Sequence, residues 1–287
     1  MRRSVVAALA LALVAALVVA WRQARLPFQP VGCSAEVGGV TATLSPVQMG
    51  NAATIVGIAL RRGLPARAAT IAIATALQES KLVNVRYGDR DSLGLFQQRP
   101  SQGWGTEAQV LDPVYATNAF YDRLVEVRDY RSLPITVAAQ RVQRSGFPDA
   151  YAQHEQNARV VAAALTGQSA AAVSCALDPD RPTSGAQGPA RLAQALRDEQ
   201  PALRSTPLPG RPGTRLTVRS AGPAAVWTLA HWAVAASDRL GVARVYADGR
   251  AWQRSDPDAG WAPATGAGVP AAGSRDVVVL FSDTTPG

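Results

Sequence analysis

The sequence predicts an all-α domain after an N-terminal apolar helix, followed by a small α/β domain. Three observations carry this. An apolar run from Val5 to Trp21 follows Arg2 and Arg3. Between residues 46 and 165, prolines and glycines punctuate segments with helical patterning. Beyond residue 212, strand-like runs alternate with one long apolar helix pattern. Apolar residues make up 47% of the chain and charged residues 17%, a balance that suits a globular protein and excludes a disordered one.

Taken in order, residues 1–21 read as a signal anchor or signal peptide: a charged start, then an apolar stretch slightly long for a leader and slightly short for a span. Val18-Val19-Ala20 offers a cleavage site. The expected location is therefore the cell membrane, single-pass with the remainder outside, or secretion if the leader is removed. Residues 22–45, with Pro27, Pro30, Gly32, Gly38 and Gly39, read as a stalk and entry loop. Residues 46–176 form the predicted helical domain. Pro46 opens a helix that stops near Gly63, and Pro65 starts a second over Ala66–Ser80. The second is apolar on most faces, the mark of a buried helix. A loop rich in glycine follows. Asp112 caps a helix with Pro113 in its first turn, and helices over Ile135–Gln143 and Pro148–Leu165 complete the set. Residues 177–212 read as a flexible linker containing a short helix at Leu192–Leu196. Residues 213–287 are the small α/β domain, with strands at Arg215–Arg219, Val242–Tyr246 and Asp276–Phe281 and a helix over Ala224–Leu240.

The formal net charge is +8, almost all arginine, because Lys81 is the only lysine. A basic chain favours an acidic partner. With no basic run and no aromatic RNA-binding signature, nucleic acid is excluded. Two cysteines, Cys33 and Cys175, bracket the helical region; an even count in an exported chain permits a disulfide, with two buried thiols as the alternative. Two distant histidines, His154 and His231, argue against a zinc site or a Ser-His-Asp triad, and no phosphate loop or dinucleotide fingerprint occurs. No cofactor or metal is expected.

Glu79 is the candidate for chemistry. It closes the buried helix and leads into the glycine-rich loop. A carboxyl group there loses solvation, its charged form is disfavoured, and its pKa rises. Glycoside cleavage needs such an acid. Asp89 and Asp91 follow in the loop as candidates for a second carboxylate, against the plainer reading that they cap backbone amides. Tyr87, Phe96, Trp104 and Tyr151 are aromatics available to stack on sugar faces.

The stretch Gln78-Glu79-Ser80, followed by Gly94-Leu95-Phe96-Gln97, resembles the soluble lytic transglycosylases and goose-type lysozymes, where a helix ends in Glu-Ser and a later loop reads Gly-Leu-Met-Gln. The likeness covers roughly residues 46–165 and is closer still to exported actinobacterial proteins of this kind, over Gly88–Gly105. It implies a lysozyme-like fold and cleavage of the β-1,4 bond between N-acetylmuramic acid and N-acetylglucosamine in peptidoglycan. Glu79 would be the catalytic acid. Ser80, Gly94, Leu95, Phe96, Gln97, Trp104, Gln140 and Tyr151 would line the substrate. The family's Ala-Tyr-Asn-Ala-Gly segment is changed: the comparable stretch runs from Ala138 to Ser145, and Gln140 or Gln143 stands in for the asparagine that orients the substrate's N-acetyl group. That departure leaves open a wall-binding module without turnover, or an envelope scaffold. The C-terminal part, with Trp227, Trp232, Trp252 and Trp261, resembles an accessory domain of exported actinobacterial proteins, and Trp252 and Trp261 are candidates for a wall-binding surface.

Overall fold

The computed structural model describes residues 31–146, 149–178, 184–219, 222–256 and 260–281. The described chain opens on a hairpin, β1 (Gly32–Val37) and β2 (Val40–Leu44), paired antiparallel in register Cys33–Leu44 to Val37–Val40. Gly38 and Gly39 both have positive φ, +60° and +77°, the backbone that a two-residue hairpin turn requires and that glycine adopts without strain.

Helix α1 (Pro46–Arg61) starts at a capping box: Ser45 Oγ accepts the Gln48 N–H, and Gln48 Oε1 accepts the Ser45 N–H at 2.8 Å. Its middle, from Met49 to Ala59, is buried apart from the half-buried Asn51. Helix α2 (Ala66–Ser80) is buried from Ala68 to Ala76 and runs through the centre of the core. Then come α3 (Glu107–Val110), α4 (Pro113–Glu126), α5 (Ile135–Gln143) and α6 (Glu155–Leu165). Asp112 caps α4 by accepting the Val114 N–H at 2.8 Å. Strand β3 (Val173–Ala176) then returns beside β1, giving a three-stranded sheet of order β2-β1-β3. Cys33 and Cys175 face each other in that register and are joined by a disulfide.

The remainder comprises α7 (Gly188–Glu199), β4 (Arg204–Pro207), β5 (Gly213–Thr217), α8 (Pro223–Ala235), α9 (Ser237–Leu240), β6 (Arg244–Ala247), β7 (Arg250–Gln253), β8 (Ala262–Pro263) and β9 (Asp276–Leu280). Its strands form one antiparallel sheet of order β4-β5-β9-β6-β7-β8. Helix α8 is buried on nearly every side, between this sheet and the helices of the first half.

The fold class therefore needs correcting. The protein is mixed α/β, with 45% helix, 17% strand and two antiparallel sheets, where an all-α N-terminal domain was expected. The missed strands sit at the margins of the helical region. β1 and β2 lie within the predicted stalk, and their inward residues are Cys33, Ala35, Ala42 and Leu44, three of the four small. Small side chains on short strands give little apolar alternation to detect. The predicted linker also carries order. Helix α7 spans twelve residues there, and it ends at Glu199, which is buried between the two halves. Trp227, Trp232, Trp252 and Trp261 are all buried in one hydrophobic core with α1, α2 and α6, so Trp252 and Trp261 offer no wall-facing surface. Trp252 Nε1 donates to the Cys175 carbonyl and Trp261 Nε1 to the Val173 carbonyl at 2.8 Å, clamping the C-terminal sheet to β3. His231, wholly buried, accepts the Ala172 N–H and lies 2.8 Å from the Ala164 carbonyl; burial pushes its pKa down to about 4. Among the described residues no helix is long and apolar enough to cross a membrane, and the predicted segment 1–21 lies outside them.

Candidate active site

Helix α2 ends because the chain turns left-handed directly after it. Lys81 and Leu82 have φ of +55° and +59°, and their N–H groups donate back to the Leu77 and Ala76 carbonyls. Glu79 is thus fixed in the last turn of the helix. Ser80 Oγ donates to the Leu95 carbonyl at 2.7 Å and lies 3.1 Å from the Ala76 carbonyl, so the serine ties the helix end to the loop that follows.

That loop is a tight turn. Leu93 and Gln98 exchange two backbone hydrogen bonds of 3.0 Å, with Gly94 to Gln97 between them. Gly94 has φ +78°, and a Cβ there would sit 2.3 Å from the Val110 carbonyl oxygen, so only glycine fits. Leu95 and Phe96 are fully buried, and the Phe96 ring stacks on Phe120 with centroids 4.7 Å apart. Their side chains build the floor; they do not face a sugar, which corrects the expectation from the motif. Gln97 turns its amide to the Tyr87 and Gly94 carbonyls.

Over this floor two side chains meet Glu79. Tyr151 donates its hydroxyl hydrogen to Glu79 Oε1 at 2.7 Å. Gln143, the last residue of α5, hydrogen-bonds Glu79 and donates from Nε2 to the Phe96 carbonyl at 2.7 Å. Burial raises the Glu79 pKa above the ordinary carboxylate value, and the hydrogen bonds from Tyr151 and Gln143 only partly offset this. No cation contributes to the shift. The C-terminal end of a helix, where carbonyls point outward, adds no support for a negative charge. Tyr151 is held in its neutral, donating form, its pKa raised by burial and by the neighbouring Glu79 charge.

Other expected site residues fall elsewhere. Gln140 donates to the Ser145 carbonyl at 2.7 Å, so Gln143, three residues on, takes the place at Glu79. Trp104 is buried beneath Arg123, whose guanidinium lies 3.5 Å from the ring centroid; its face is already covered. Tyr151 acts through its hydroxyl, its ring being buried. Tyr87 is exposed over three quarters of its surface and remains available for stacking. Asp91 accepts the Ser101 N–H at 2.8 Å, the Arg99 Nε–H and the Ser101 hydroxyl, which together hold its carboxyl well below the usual range; it anchors the loop. Asp89 points into solvent. Among the described residues no group of three His, Cys, Asp or Glu is placed to hold a metal. A cavity of about 530 Å³ between Val37, Val40, Glu155 and Arg159 does not include Glu79.

Comparison of the chain with protein-family models and with curated proteins finds no match.

Proposed function

We propose that this protein acts on the glycan strands of peptidoglycan and cleaves the β-1,4 bond after N-acetylmuramic acid, with Glu79 as acid and then base. The observation that carries the reading is a carboxyl group desolvated at a helix end, hydrogen-bonded by Tyr151 and Gln143, with no cation beside it. Such a group keeps its proton toward neutral pH and can give it to the leaving oxygen. Tyr151 occupies Oε1, so the proton departs from Oε2. As the bond from the anomeric carbon breaks, Glu79 becomes a carboxylate. It then takes a proton from the incoming oxygen, either the sugar's own 6-hydroxyl, giving an anhydro product, or water, giving a reducing end. Asp89 is turned to solvent and Asp91 is engaged by Ser101 and Arg99, so neither is the natural second carboxylate. That favours assistance by the substrate's N-acetyl group. The disulfide favours an oxidising compartment, in keeping with a chain exported through its N-terminal segment, either retained in the membrane or released.

A second reading rests on the altered segment around Gln140 and Gln143: a wall-binding module that keeps the cleft without turnover. The discriminating experiment treats purified, de-O-acetylated peptidoglycan with the full chain and with Glu79→Gln, and reads products by mass spectrometry. Release by the wild type alone supports the enzyme, and the anhydro mass identifies the intramolecular route. Binding of glycan strands by both proteins, with release by neither, sinks it in favour of the module.

A further inference from the structure

The C-terminal end of α1, the connection from α7 to β4, and helix α8 surround a cavity of about 300 Å³. Leu60, Leu203, Val218 and Leu229 make it apolar, and Gln200 and Arg219 supply polar groups. Gln200 is only 5% exposed, yet its side-chain nitrogen has no hydrogen-bond partner. A buried donor left unpaired is unfavourable and calls for an explanation.

Its position is enforced. A Cβ at Gly57 would lie 2.4 Å from the Glu199 carbonyl oxygen and 2.6 Å from Gln200 Nε2. The glycine therefore lets the end of α7 rest directly on α1, with the amide trapped against the helix. The preceding residue, Glu199, is anchored by Arg239, Trp232 and Thr54, so the backbone cannot carry Gln200 outward. Leu60 and Gln200 also border a smaller enclosed void beside Trp232, which places the amide between that void and the open cavity.

The charge around the opening has one sign. Arg219 is exposed on the cavity wall, and no acidic residue lines it. The adjoining depression, which shares Gln200 and Leu203, adds Arg61 and Arg197 and again no acid. A volume of about 300 Å³ accommodates roughly ten non-hydrogen atoms at about 30 Å³ each. We propose that this cavity binds a small amphipathic carboxylate. Its chain would lie against Leu60, Leu203, Val218 and Leu229, the Gln200 amide would turn from α1 toward the cavity so that Nε2 donates to one oxygen, and Arg219 would balance its charge. The site is independent of Glu79.

The test titrates the full chain with octanoate and with octanol by calorimetry and ligand-observed NMR. The variants are Gln200→Leu, Leu203→Trp and Arg219→Ser, each first checked by thermal melting. Octanoate is expected to bind saturably at one site and octanol at least tenfold more weakly. Gln200→Leu should weaken octanoate at least tenfold, Leu203→Trp should abolish binding by filling the cavity, and Arg219→Ser should weaken it several-fold at low salt. If Gln200→Leu does not fold, Leu203→Trp decides. No saturable binding, binding unchanged by Gln200→Leu or Leu203→Trp, or octanol binding as tightly as octanoate each overturns the proposal. Dimerisation blocked by Leu203→Trp, without octanoate binding, would assign the cavity to a second copy of the chain and equally overturn it.

Discussion

Among the glutamates that stand at helix ends, Glu79 and Glu199 are both drawn out of solvent, and their surroundings could hardly differ more. Glu79, in the last turn of α2, meets a phenol and an amide and no cation. Glu199, the last residue of α7, receives Arg239 on both oxygens at 2.6–2.7 Å, the Trp232 indole N–H at 2.9 Å and the Thr54 hydroxyl at 3.1 Å. Both lose solvent to a helix end. At Glu199 the lost hydration is replaced by an ion pair and neutral donors, and the carboxylate becomes a joint linking α1, α7, α8 and α9. At Glu79 the replacement is incomplete, and burial raises the pKa. The same side chain at the same kind of address is a fastening in one region and the proposed acid in the other, and only its long-range neighbours make the difference.

Substitution of each glutamate sharpens this contrast. Glu79→Gln should reduce glycan turnover by about a thousandfold, the scale of a general acid's contribution, with the fold intact by circular dichroism. If turnover persisted, Glu79 would be no acid and the contrast would fail. Glu199→Ala should cost about 3 kcal/mol, or roughly 6–12 °C in Tm, because Arg239, Trp232 and Thr54 lose their common acceptor. A variant melting with the wild type would show that the joint is idle. Tyr151→Phe should lower turnover by about tenfold. The hydroxyl lowers the Glu79 pKa, so its removal should also move the basic limb of the pH–rate profile upward, a displacement that a packing defect alone would not produce.

The smallest effect is a stability difference of opposite sign to that at Glu199. A folded pKa raised above the unfolded value means that ionising Glu79 weakens the fold. That penalty is absent below the ordinary Glu range and grows as pH rises toward the raised folded value. Glu79→Gln should therefore melt slightly above the wild type at about pH 8, and the gain should vanish near pH 4. A constant offset between the two proteins at every pH would break the comparison from the other side.

Much of the local structure was readable from sequence. Pro46 and Pro65 mark the starts of α1 and α2, Asp112-Pro113 marks that of α4, and Ile135–Gln143 is a helix in sequence and structure alike. These signals are local, a cap or a proline followed by apolar spacing. Glu79, at a helix end beside glycines, was equally visible. What lay hidden depends on contacts far apart in the chain. Tyr151 reaches Glu79 across 72 residues and Gln143 reaches Phe96 across 47, and neither spacing is a motif. Gln140 and Gln143 differ by less than one helical turn, so composition alone does not decide between them. The β1–β2 hairpin did carry a signal, Gly38-Gly39 between two short alternating runs, but its small residues also suit a stalk. Helix α7 showed only as a short helix at Leu192–Leu196, because the prolines around it read as a linker, while its packing depends on Gly57 in a distant helix.

The pairing of β1 with β3 turns the helical part into a covalent ring. Cys33 and Cys175 are 142 residues apart in sequence and bonded to each other, so the chain enters and leaves that part at one point. A single protease cut anywhere between them would release no fragment; the nicked protein would migrate as one species until a thiol parted the pieces.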